Sequence, residues 1–297
     1  MTTNNTTAGV ARSAMLVDLA ISTYSGRKQD RKTQEEVTTA KGSGSKKAAS
    51  VYKSLFADCK ELDAITKYQA QARAMHYRLT LPWSDNGQRL LPTKALLEYQ
   101  DTMGKCKTEF ESLVGKFLVK YDTLVAAAAF QLGTLFDRDE YPMSEQVGRK
   151  FSMFSSFTPL PTSGDFRLDI ESSVQQELIN QYEARAAAQL AQANQESWTR
   201  LHTALAKISD RLKVDEDGKK NVFHDTLVSN AVELCDLLTV MNVTGDKDLE
   251  RARRKLQDAL EGVTPKELRD EDSTRIFTKQ KVDAILDAFD WGVGDGA

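Results

Sequence analysis

The chain has 297 residues, 40% of them hydrophobic, which is enough to bury a core and excludes a wholly disordered protein. Forty Lys/Arg stand against 43 Asp/Glu, a net charge of −3, so no global positive field marks a nucleic-acid binder and any polyanion contact must be local. Cys59, Cys106 and Cys235 are odd in number and far apart, against a disulfide framework, while Met1 to Thr7 lacks a leader pattern and no window is apolar enough to span a membrane. The expectation is a cytoplasmic protein without membrane contact.

Residues 1–13 are poor in apolar side chains that could offset the entropy of ordering, and are expected to be disordered. From Leu16 to Thr23, Val17, Leu19, Ile21 and Thr23 alternate with Asp18, Ala20 and Ser22, which predicts a short strand. It runs into Ser25-Gly26 and a basic break, followed by a short helix to about Lys41. Gly42-Ser43-Gly44-Ser45 reads as a flexible joint, with Ser45 as N-cap of a long helix. That helix is expected to carry Val51, Leu55, Cys59, Leu62, Ile65, Tyr68, Ala72, Met75 and Leu79 at steps of three or four, ending at Pro82. Asn86-Gly87 supplies the positive φ of a tight reversal.

After Pro92-Thr93 a second long helix is predicted to about Gly133, and its stretch Phe117–Leu132, apolar nearly all round, is expected to lie centrally. Two short strands are expected between Phe151 and Ile170, the second where Phe166, Leu168 and Ile170 alternate with charged residues. A third long helix follows from about Ser172 to Lys213, then three more at Val222–Val243, Asp246–Glu261 and Ser273–Ala288. Helices of 35–40 residues would each be about 50–60 Å long at 1.5 Å per residue. The expected architecture is mainly α, an elongated antiparallel long-helix hairpin or bundle with a small two- or three-stranded β-sheet at one end. Residues 14–215 form the long-helix bundle with its sheet, 216–290 a C-terminal helical region, and 291–297 a flexible tail.

Patterns for chemistry are sparse. His76, His202 and His224 are scattered, with no two at ligand spacing on one helical face, so no metal site is predicted. A calcium loop starting at Asp215 fails, because Lys219 and Thr226 stand where oxygen ligands are needed. Asp137, Asp139 and Glu140 form an acidic loop that could bind a divalent ion or serve as paired carboxylates, but with Arg138 between them it reads better as a solvated loop. Gly42 to Lys47 places flexible amides beside Lys46 and Lys47 but lacks the frame of a nucleotide-binding loop, and no cofactor is expected.

Charge is more informative. Residues 27–53 hold eight Lys/Arg against three acids. Arg27, Lys28, Arg31, Lys32, Lys46 and Lys47 are the candidate nucleic-acid-binding residues, with Tyr24 and Tyr52 placed to stack on bases; a solvated basic surface is the alternative. The last helix ends in Ile285, Phe289 and Trp291 among acids, so these are candidate partner-binding residues, unless the helix packs on its own domain.

Three passages, Ile21-Ser-Thr-Tyr-Ser-Gly-Arg-Lys28, Leu81-Pro-Trp-Ser-Asp-Asn-Gly-Gln-Arg-Leu-Leu-Pro92, and Pro159-Leu-Pro161 leading to Asp165-Phe-Arg167, resemble an uncharacterised family of tailed-phage and proteobacterial proteins. The resemblance covers roughly residues 14–215. It implies a phage or mobile-element origin, hence a host cytoplasm, and an association with MoxR-like AAA+ ATPases; it carries over no catalytic residue. Physically, these passages sit where the chain reverses, and Arg89 is placed to bond helix-end carbonyls.

The leading expectation is a non-enzymatic interaction or scaffold protein that forms homo-oligomers and supports DNA metabolism or assembly. Sequence-independent binding of single-stranded nucleic acid is the second reading. An enzyme, or a regulator of an AAA+ ATPase with its site at Asp137–Glu140, is the third.

Overall fold

The structure is a computed structural model that describes residues 10–45, 47–161, 172–215 and 218–292. In chain order its elements are β1 (Ala14–Ser22), β2 (Arg27–Gln29), α1 (Arg31–Ala40), β3 (Tyr52–Ser54), α2 (Lys60–Arg78), β4 (Leu81–Pro82), β5 (Arg89–Pro92), α3 (Leu96–Leu132), α4 (Ser144–Gly148), β6 (Ser152–Pro159), α5 (Ser172–Arg211), α6 (Thr226–Met241), α7 (Lys247–Leu260), α8 (Glu267–Asp270) and α9 (Asp272–Ala288). The fold is mainly helical, with long helices and two small sheets, one four-stranded in the order β4-β5-β1-β6 and one two-stranded from β2 and β3.

The chain divides into two compact units. Unit 1 takes Met1–Asp18, Tyr77–Tyr99 and Ser156–Ala297, and unit 2 takes Leu19–His76 and Gln100–Ser155. The boundary at residue 215 drawn from the sequence falls within unit 1.

In unit 1, β5 pairs antiparallel with β1 (Ala14↔Pro92 to Val17↔Arg89) and with β4 (Leu81↔Leu90). Gly87, at φ +93, turns the chain between β4 and β5. Beneath this hairpin, Leu16, Leu81, Trp83 and Leu90 pack with Ala186, Leu190 and Met241. Arg89 donates from Nε to Thr80 Oγ1 (2.7 Å) and from Nη2 to Thr80 O (3.1 Å), satisfying a carbonyl just past the end of α2. A second cluster joins α5 to the C-terminal helices through Leu201, Leu205, Ala231, Cys235, Leu256, Val282 and Ile285.

In unit 2 the core is aromatic. Phe56 packs edge-on or tilted against Tyr24, Phe117, Tyr121 and Tyr141, with ring centroids 5.4–6.4 Å away. Along α3 the buried residues Phe110, Val114, Phe117, Tyr121, Val125 and Ala128 recur at steps of three or four, one face of a 3.6-residue helix.

Several expectations need correction. Residues 47–59 are not the start of a long helix: Tyr52–Ser54 pair with Arg27–Gln29, Asp58 adopts a left-handed φ of 55°, and α2 begins only at Lys60. The apolar spacing that suggested a helix there comes from Val51, Leu55 and Cys59, of which Leu55 and Cys59 are buried from a loop. The main sheet has four strands instead of two or three. Phe117–Leu132 is central on one face only, since Val119 and Phe130 are 88% and 89% exposed. The strand expected at Phe166–Ile170 lies outside the described residues.

Candidate functional site

The basic segment is organised by the β2–β3 ladder in unit 2. Its register sets Arg27 opposite Ser54, Lys28 opposite Lys53 and Gln29 opposite Tyr52. Hydrogen bonds from Leu55 N to Gly26 O (2.7 Å) and from Asp30 N to Val51 O (2.9 Å) extend it at both ends. Gly26 is required here: its φ is +60, and a Cβ would lie 2.9 Å from Leu62 Cδ2 and 3.3 Å from Phe56 Cδ2.

Side chains alternate across a strand, so the ladder has two chemically distinct faces. Lys28 and Lys53 share one, where two like charges directly opposite would repel. Glu140 resolves this, with its carboxylate 2.6 Å from Lys53 Nζ and 3.8 Å from Lys28 Nζ, and Lys53 also donates to Leu135 O (2.8 Å). The opposite face carries Arg27, Gln29, Tyr52 and Ser54, all exposed, Tyr52 to 64%.

Helix α1 follows at once. Its N-cap Asp30 accepts from Thr33 N (3.1 Å) and Thr33 Oγ1 (2.8 Å), and these bonds lower the Asp30 pKa. The next two residues, Arg31 and Lys32, are exposed in the first turn, where the helix dipole is already positive and acids are the usual occupants. Cations there cost a little helix stability and deepen the local attraction for anions. Lys47 is exposed in the loop between α1 and β3, and Lys46 lies outside the described residues. Tyr24, expected to stack on bases, is instead buried in the aromatic core, with Lys150 Nζ 4.9 Å above its ring.

The remaining candidates are engaged in packing and capping. Asp137 accepts from Asp139 N (3.0 Å), Arg138 donates to Tyr141 O (2.9 Å), and Glu140 serves Lys28 and Lys53, so Asp137 and Glu140 are both engaged within unit 2. Ile285 and Trp291 are buried, and Trp291 stacks against Trp198, His202 and Phe289 while donating from Nε1 to Leu286 O (2.8 Å). The C-terminal aromatics therefore pack on their own unit, and Phe289 lies partly buried in the same cluster. His76 is buried and His224 exposed. Among the described residues no group of three or more His, Cys, Asp or Glu is placed to hold a metal, and no described helix is long and apolar enough to cross a membrane.

No family model, curated protein or solved structure matches the chain.

Sequence reasoning missed a groove in unit 1 between α5 and α6, of about 1130 Å³. A signal was present: Arg200, Lys207 and Arg211 fall on one helical face, at spacings of seven and four.

Proposed function

We propose that this protein is an interaction protein whose β2–β3 ladder and α1 N-terminus bind single-stranded nucleic acid without sequence preference. The observation that carries the reading is Tyr52, an exposed ring on the same face as Arg27, beside a helix that opens on Arg31 and Lys32. A cationic surface tracks the phosphates and an aromatic ring stacks on a base, which every base permits. The opposite face, held by Glu140, keeps the ladder rigid so that little ordering entropy is lost on binding.

The test is fluorescence anisotropy with labelled oligothymidine across a salt series. Replacing Arg27, Arg31 and Lys32 with Ala should reduce the slope of log K against log salt by about 2, at about 0.7 per phosphate contact. Tyr52→Ala should weaken binding about tenfold or more at constant slope. Binding unaltered by either set would refute the assignment.

A second reading, self-association, is favoured by the exposed apolar stripe of α3. Val119, Ala126, Ala127 and Phe130 lie opposite the buried face, and such a patch is characteristic of interaction sites. Sedimentation of Val119→Asp/Phe130→Asp against the parent chain tests it: the parent should form a defined oligomer that the double variant loses, and a monomeric parent would end this reading.

A further inference from the structure

We propose that the groove between α5 and α6 docks an amphipathic, acidic α-helix from a partner protein. The groove is formed by residues of unit 1 and the nucleic-acid reading rests on residues of unit 2, so the two are argued from different residues. One wall is apolar: Leu227, Ala231, Leu234 and Leu237 follow one face of α6, and Leu234 and Leu237 are only half-buried. The other wall is cationic, with Arg200, Lys207 and Arg211 on one face of α5. The lining acids are neutralised locally: Glu196 pairs with Arg200 at 2.9 Å, Glu233 with Arg78 at 3.7 Å, and Asp225 with Arg269. Among the described residues Lys207 and Arg211 have no carboxylate partner, and Arg211 donates to Val222 O (3.3 Å). The charge left over in the groove is therefore positive and confined to one wall, the complement of a helix with leucines on one side and acids beside them.

Size agrees with a helix. The α5 wall from Glu196 to Arg211 is about 22 Å long at 1.5 Å per residue, and a helix of that length about 10 Å across fills about 1700 Å³. Sunk to about two-thirds of its girth, it would occupy the 1130 Å³ of the groove. Small-molecule cavities are typically about 300–1,000 Å³, and the groove lies just above that range. A nucleic-acid strand fits less well, because the apolar wall on α6 is aliphatic and the Phe223 ring is buried, with the guanidinium groups of Arg269 and Arg275 5.0 and 5.6 Å from it, which leaves the His224 imidazole as the exposed ring of the described lining.

The probe is a labelled, helix-forming peptide of about sixteen residues with Leu at i, i+3, i+4 and i+7 and Glu at flanking positions, titrated into the full chain. Its control carries Gln for every Glu. At low salt the acidic peptide should bind saturably and about tenfold or more tighter than the control. Lys207→Glu/Arg211→Glu should weaken it about tenfold or more. Thr203→Trp, an exposed groove residue, should do the same by obstruction, and the far-ultraviolet circular dichroism of each variant verifies its fold. Replacing Arg27, Arg31 and Lys32 should leave peptide binding unchanged. The proposal is overturned by absence of saturable binding, by equal affinity for the control, or by insensitivity to both groove variants. Displacement of the peptide by oligothymidine that itself needs Lys207 and Arg211 would give the groove to nucleic acid instead.

Discussion

Replacing Arg275 with Met should destabilise unit 1 by about 3 kcal/mol. Arg275 is 1% exposed, and its guanidinium caps the end of α5: Nε donates to Leu212 O (3.1 Å), and Nη2 to Arg211 O (2.8 Å) and Lys213 O (3.3 Å). It also reaches Leu268 O (3.2 Å) and Asn221 O (2.9 Å), so one side chain ties the end of α5, the following loop and α8 to α9. Each of the three shorter bonds contributes about 1–1.5 kcal/mol net, and removing a desolvated charge returns about 1 kcal/mol, which leaves about 3. For a unit of this size that is a fall in Tm of about 6–12 °C. Trp83, Trp198 and Trp291 are the only tryptophans and all belong to unit 1, so denaturant unfolding followed by tryptophan fluorescence reports on this unit. Arg275→Lys keeps the charge but not the fork, and should lose at least as much, because one ammonium does not span carbonyls on three segments. A change under about 1 kcal/mol in Arg275→Met, or full stability in Arg275→Lys, would show that the guanidinium is not what holds these segments.

Hydrogen bonds from Arg253 and then Arg254, opposed by partial burial, pull the Glu250 carboxyl down to about 2. A depressed carboxyl stabilises the folded state above its unfolded value and loses that contribution as pH falls toward the folded one. Stability of unit 1 should therefore decline between about pH 5 and 2, by about 1 kcal/mol from this group after allowance for solvent screening, and Glu250→Gln should lack that component in a pH series of denaturant melts. Asp246 caps α7 through Oδ1, accepting from Asp248 N and Leu249 N, and holds Trp198 Nε1 (3.0 Å) and Asn194 Nδ2 (2.9 Å) with Oδ2. Asp246→Ala should cost about 2–3 kcal/mol and shift the Trp198 emission, and a silent emission spectrum would contradict the contact. Burial raises the Cys235 thiol to about 11. A disulfide reagent at pH 8 should therefore modify Cys235 only on unfolding, as peptide mapping would show, and rapid labelling of the native chain would refute its burial.

The long helices were legible because their signals are redundant. Along α3 nine buried positions from Tyr99 to Ala128 keep helical spacing without interruption, and α7 announces itself by the cap Asp246. Failure came where the same spacing has another cause. Leu55 and Cys59 are buried from a loop on either side of Phe56, which joins the aromatic core, and periodicity does not record which backbone carries a buried side chain. The β2–β3 ladder was hidden for a related reason: three-residue strands are too short to show alternation, and the decisive partner, Glu140, lies far along the chain. Of the candidate residues, the positions of Arg27, Arg31 and Lys32 on the surface followed from composition. The loss of Tyr24 to the core did not, since nothing local distinguishes it from Tyr52.

The interleaving of the two units has a consequence for synthesis. The chain passes between them at residues 18–19, 76–77, 99–100 and 155–156. Val10, Ala14 and Leu16 find their covering residues in Ala186, Leu190 and Met241, more than two hundred positions later at the furthest. At about 5–20 residues per second, a ribosome leaves that N-terminal strand without its final neighbours for roughly 10–45 s. Until those later residues are made, Val10, Ala14 and Leu16 lack the neighbours against which they pack in the finished fold.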